Sequence, residues 1–103
     1  MTKDAYYFSH DANARHDPKM IRLRSKLGME GVGIFWCIVE MLRESGDYKL
    51  SLNDCDGIAY GLHCRVAIAE AVVKDFDLFE IDGDKFWSNT LLQRMEKREI
   101  FLV

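Results

Sequence analysis

Leu78-Phe79-Glu80-Ile81, Asp82-Gly83-Asp84 and Lys85-Phe86-Trp87-Ser88-Asn89 form the stretch on which the fold turns. Two apolar, aromatic-rich runs around an Asp-Gly pair predict a β-hairpin, because Asp and Gly tolerate the positive φ that a tight turn demands. Immediately upstream, Ser51 or Asn53 caps a short helix that runs to about Tyr60 and stops at Gly61. After the turn Gly61-Leu62-His63, a second helix is expected from about Cys64 to Phe76. Val66, Ala69, Val72, Val73 and Phe76 make its apolar stripe, while Ala67, Glu70, Ala71 and Lys74 face away.

Working outward, Tyr48-Lys49-Leu50 reads as a short strand, too brief to stand alone. Ahead of it, Gly31–Ser45 is apolar almost all round until Glu40, the pattern of a central helix in which Trp36 is buried. Gly31 and Gly33 would let a neighbour approach closely. A first helix starts at Asp17, a cap, and Pro18, whose missing N–H fits the first helical position. Met20, Leu23 and Leu27 form its buried stripe, and Gly28 stops it. Residues 5–9, Ala-Tyr-Tyr-Phe-Ser, read as an extended aromatic segment packed on the domain. A last helix begins around Leu91, Leu92 and Met95, with Gln93, Arg94, Lys97 and Arg98 outward. The fold class expected is mainly α with a small antiparallel β-hairpin, in the order of a winged helix-turn-helix.

At 103 residues the chain suits one domain, and 49% hydrophobic residues supply a core without staples. Its longest apolar run, Ile34–Val39, is far short of the ~20 residues a bilayer span needs. No secretory leader is expected, and Cys37, Cys55 and Cys64 lack CxxC spacing, so reduced thiols in the cytoplasm are expected. The apolar ending Ile100-Phe101-Leu102-Val103 suggests that the domain, residues 1–103, is the N-terminal part of a longer protein.

Tyr7-Phe8-Ser9-His10-Asp11, Asn13-Ala14-Arg15, Asp17-Pro18-Lys19, Leu27-Gly28-Met29-Glu30-Gly31, Gly33-Ile34-Phe35-Trp36 and Glu40-Met41-Leu42-Arg43-Glu44 together resemble one family. This run is similar to the N-terminal domain of phage and prophage replication-initiation proteins, the DnaD-like replisome organisers. Val32 stands where that family often carries Tyr. The resemblance implies a winged-helix module that binds DNA, self-associates and helps to load a replicative helicase, directly or through its loader. It implies no catalytic residues and no cofactor.

Charge is divided along the chain. Residues 15–26 carry Arg15, Lys19, Arg22, Arg24 and Lys26 against Asp17 alone, whereas residues 54–84 carry eight carboxylates against Arg65 and Lys74. A polyanion therefore favours the first segment, and weak DNA binding through phosphate contacts is expected at those five cations. Reversing the charges of Lys19, Arg22 and Lys26 is expected to abolish binding with little change in melting temperature. The second helix of the pair offers a nucleic acid little, since Lys74 is the one cation on an outer face of small and acidic residues; Ala67, Glu70, Ala71 and Lys74 better fit a protein interface. The alternative is an oligomerisation or partner-docking domain without direct DNA contact.

Enzyme chemistry has one outside candidate. His10-Asp11 and His16-Asp17 suggest a metal-dependent phosphohydrolase, but the further ligands such a site needs are missing and Asp17 is already a cap. His63 and Cys64, adjacent on a turn, do not aim at each other as a nucleophile and base must. No P-loop, GxSxG or HExxH pattern occurs. The reading is a non-enzymatic protein without bound metal.

Overall fold

The computed structural model describes residues 17–102, with side chains through Glu96. It is mainly helical with a small three-stranded antiparallel sheet, in the order α1 (Pro18–Glu44), β1 (Leu50–Ser51), a single 3-10 turn (Leu52–Asp54), α2 (Cys55–Leu62), α3 (Val66–Lys74), β2 (Glu80–Asp82), β3 (Lys85–Trp87) and α4 (Asn89–Leu102). The aromatic segment at residues 5–9, together with His10, Asp11, Arg15 and His16, lies outside the described residues.

Helix α1 begins as its sequence dictates: the Lys19 amide donates to Asp17 Oδ1 at 2.8 Å, with Pro18 following the cap. It breaks into two arms at Gly28, whose φ of 67° and ψ of −164° are open to glycine but strained for any other residue. Just past the break, Gly31 has no room for a side chain, because a Cβ there would lie 2.5 Å from Leu27 Cβ. Gly33 differs: it faces open space, so its small size serves no close packing. The second arm buries Ile34, Phe35, Ile38, Val39 and Leu42, but Val32, Trp36, Cys37 and Met41 are only half-buried. Trp36 is therefore not the core residue that the apolar run predicts. Trp36 lies on the flank of the arm, where it lines a cleft.

Ser45 ends α1 by donating its backbone N–H to the Met41 and Leu42 carbonyls. Its hydroxyl also accepts from the Lys49 amide at 3.0 Å, turning the chain into β1. Ser51 and Asp54 then cap reciprocally: the Asn53 amide donates to Ser51 Oγ, and the Ser51 amide to Asp54 Oδ2. Helix α2 runs through Gly61 to Leu62, beyond its expected stop. The left-handed residue is His63, at φ 55°. The His63 amide donates to the Tyr60 carbonyl and the Cys64 amide to that of Ala59, the paired bonds that close a helix C-terminus. Burying Ala59 and half-burying Cys64 against the core fixes this turn in place of the Gly61 turn.

Helix α3 is shorter than expected. Ala69, Val72 and Val73 are buried as predicted, and so is Phe76 beyond the helix end, but Val66 is 37% exposed. The hairpin forms where expected: Asp82 pairs with Lys85 across Gly83-Asp84, with Gly83 at φ 63°. β3 is the middle strand, flanked by β2 and by β1 through Leu50↔Phe86. Phe86 is fully buried, and its ring meets Phe79, which in turn meets Phe35 of α1. Ser88 caps α4, accepting the Leu91 amide at Oγ. Leu91 thereby enters the same core as Leu23, Ile38, Leu42, Val72 and Val73.

Candidate nucleic-acid interface

The basic first arm of α1 presents Lys19, Arg22, Arg24 and Lys26, all exposed. They are not equivalent. Arg22 donates from Nη2 to the Asp75 carbonyl at 2.9 Å, and its guanidinium carbon stands 5.6 Å from the centre of the Phe76 ring. Because Asp75 is the C-cap residue just past α3, Arg22 satisfies a carbonyl at that helix end while stacking on a buried aromatic. Lys19 Nζ lies 3.3 Å from Asp77 Oδ2, a pair with both side chains largely in water. Arg24 and Lys26 form no ion pair with any described residue. Arg22 thus ties the first arm to the end of α3 as well as presenting its charge.

On α3, Ala67 and Lys74 are exposed, whereas Glu70 and Ala71 are half-buried and Ala71 packs against the core. Glu70 and Lys74 pair with each other at 3.6 Å across one helical turn. The face is small and close to neutral. Two features of this region escaped the sequence reading. Tyr60 of α2 is 85% exposed, and Arg65 stands exposed just before α3, whose first turn holds no carboxylate. The signal for Arg65 was its position at the start of a helix inside an acidic stretch. Tyr60 gave none, since an aromatic at a helix end reads equally well as core. At the hairpin, Lys49 Nζ sits 4.7 Å from the Trp87 ring centre. Trp87 Nε1 donates to Asn89 Oδ1, and Asn89 Nδ2 donates to Glu80 Oε1.

Burial, aided by Glu70, pushes the Cys55 thiol above its ordinary range, and burial with Glu30 does the same at Cys64. Both thiols are held protonated, the opposite of what a nucleophile beside His63 would need. Among the described residues, no group of three or more His, Cys, Asp and Glu is placed to hold a metal, and no helix is long and apolar enough to cross a membrane. A cleft of about 150 Å³ opens between the start of α1, its second arm and the start of α4, lined by Met20, Phe35, Trp36, Val39 and Leu78 among others.

No curated protein and no solved structure matches the chain. The family described as Lin1244/Lin1753-like, N-terminal, matches residues 7–91, from the aromatic segment before α1 to the first turn of α4. That span includes the helix pair, the hairpin and the basic arm, and the chain belongs to the Lin1244/Lin1753-like N-terminal domain family.

Proposed function

We propose that this domain is a non-enzymatic winged helix-turn-helix module of a phage- or prophage-type replication-initiation protein, DnaD-like in kind, contributing DNA binding and assembly. The observation that carries this reading is the order of the elements. A helix, a short strand, two short helices across a tight turn and a hairpin follow one another, and the hairpin's second strand pairs back onto the first strand. DNA contact is assigned to phosphates and to the basic arm, with Arg24 and Lys26 the cations best able to reach them. Lys19 and Arg22 are committed in part to the Asp75–Asp77 segment. The α3 face is a poor reader of base edges, with Ala67 at its exposed end and Glu70 paired to Lys74.

That neutral face favours a second reading, a docking or oligomerisation domain whose partner is a second copy, a replicative helicase or its loader. Fluorescence anisotropy with a short duplex over a series of salt concentrations separates the two. Each phosphate neutralised contributes ~0.9 to the log–log salt slope, so Arg24→Ala/Lys26→Ala lowers the slope by about 1.8 if both touch phosphates. An unchanged slope and affinity overturns the DNA reading. Light scattering with and without the duplex then shows whether the domain assembles by itself.

A further inference from the structure

Strand β2 pairs on one side only. Its cross-strand partners are all on β3, and among the described residues no strand pairs with its other side. Asp82 and Lys85 flank the two-residue turn Gly83-Asp84 and so exchange ladder hydrogen bonds, as the Glu80–Trp87 pair does two positions on. Such pairs alternate along an antiparallel ladder, so the N–H and C=O of Ile81 point the other way, out of the sheet. Phe86, opposite Ile81, turns its own backbone toward Leu50 of β1.

The side chains at this edge fall into two rows. Ile81 lies opposite the fully buried Phe86, so the two share the core-facing side of the sheet. Ile81 is nevertheless 42% exposed, and the apolar layer beneath the sheet thins out there. Glu80 and Asp82 lie on the outer side, across from Trp87 and Lys85, and both are exposed. Asn89 donates to Glu80 Oε1 at 3.1 Å, which fixes that carboxylate without neutralising it. Asp82 and Asp84 form no ion pair with any described residue, and Lys85 is the only cation from residue 75 to 93. An added strand is therefore read in three places. Its backbone answers the N–H and C=O of Ile81, an apolar side chain beside Ile81 extends the core-facing layer, and flanking cations meet Glu80 and Asp82. A second copy is the wrong occupant, since it brings the same carboxylates to the edge.

We propose that the outer edge of β2 docks an extended segment of another protein in which an apolar residue stands between two lysines or arginines. The segment adds as a fourth, antiparallel strand, so that one of its residues answers both backbone groups of Ile81. The site lies on other elements than the basic arm and does not depend on DNA binding there.

The test is a nuclear magnetic resonance titration of the full chain with the capped peptide Ser-Thr-Lys-Val-Lys-Thr-Ser. Amide shifts are expected at Glu80, Ile81 and Asp82, with slower solvent exchange of the Ile81 amide. The same peptide with glutamate in place of both lysines should bind at least about tenfold more weakly. The lysine peptide N-methylated at its central valine loses the N–H that faces the Ile81 carbonyl and should no longer bind. Absence of shifts on β2 overturns the proposal. Equal binding of the N-methylated peptide also overturns it, because charge alone then draws the peptide in. Protection of Ile81 that grows with protein concentration and without peptide refutes it as well, since a second copy then covers the edge. Glu80→Lys/Asp82→Lys should reverse the preference between the lysine and glutamate peptides, and an unchanged preference refutes the role given to the two carboxylates. Should that variant fail to fold, the three peptides on the unaltered chain decide the matter.

Discussion

The first arm of α1 and α3 both carry charge on their outer faces but manage it differently. On α3 the charges answer each other one turn apart, Glu70 to Lys74, and the face stays close to neutral. On α1 the cations reach across the fold instead, Arg22 to the Asp75 carbonyl and Lys19 to Asp77. A self-contained pair leaves its helix free of obligations. A pair across the fold ties the placement of one helix to the other, so the basic arm is both an electropositive surface and a clamp on the end of α3. The same side chain cannot be counted fully for both roles.

Four substitutions would break or sharpen that contrast. Leu23→Ala removes the fully buried side chain from the inner side of the basic arm, in the core that also holds Val72 and Val73 of α3. It should cost about 2–5 kcal/mol in urea unfolding, and a smaller loss would mean that the polar clamp, not the core, seats the arm. Arg22→Ala should cost about 1–2 kcal/mol through the lost hydrogen bond and ring contact, while Lys26→Ala stays within ~0.5 kcal/mol. Equal melting curves for these two variants would erase the distinction between clamping and free cations. Glu70→Ala should change stability by no more than about 0.5 kcal/mol, as expected of a solvent-facing pair one turn apart, and by less still at high salt.

The parts legible in the sequence are those decided by a residue and its immediate neighbours. Asp17-Pro18 starts a helix, Gly28 breaks one, and Asp82-Gly83 turns a hairpin, in each case because local backbone chemistry leaves few alternatives. Gly61 misled for the same reason. Its local preference for a helix stop lost to the burial of Ala59 and the packing of Cys64 against the core, which pass the left-handed conformation to His63. Trp36 misled because an apolar run does not say how many sides of a helix find neighbours. At the candidate site the identities of the cations were legible but their duties were not, since the partners of Arg22 and Lys19 lie more than fifty residues away.

Strand β2 lies at the edge of the sheet with all three of its residues exposed, so one row of its backbone donors and acceptors is unclaimed by the sheet. An open strand centred on Ile81, 42% exposed, is a template for unwanted strand addition between molecules. Its neighbours Glu80 and Asp82 answer that hazard. A second copy laid antiparallel about Ile81 would set each Glu80 against an Asp82, four carboxylates along one short seam. The resistance to fibre growth is electrostatic and not steric: it is strongest in dilute salt and fades as added ions screen the carboxylates, leaving the apolar centre of the strand unguarded.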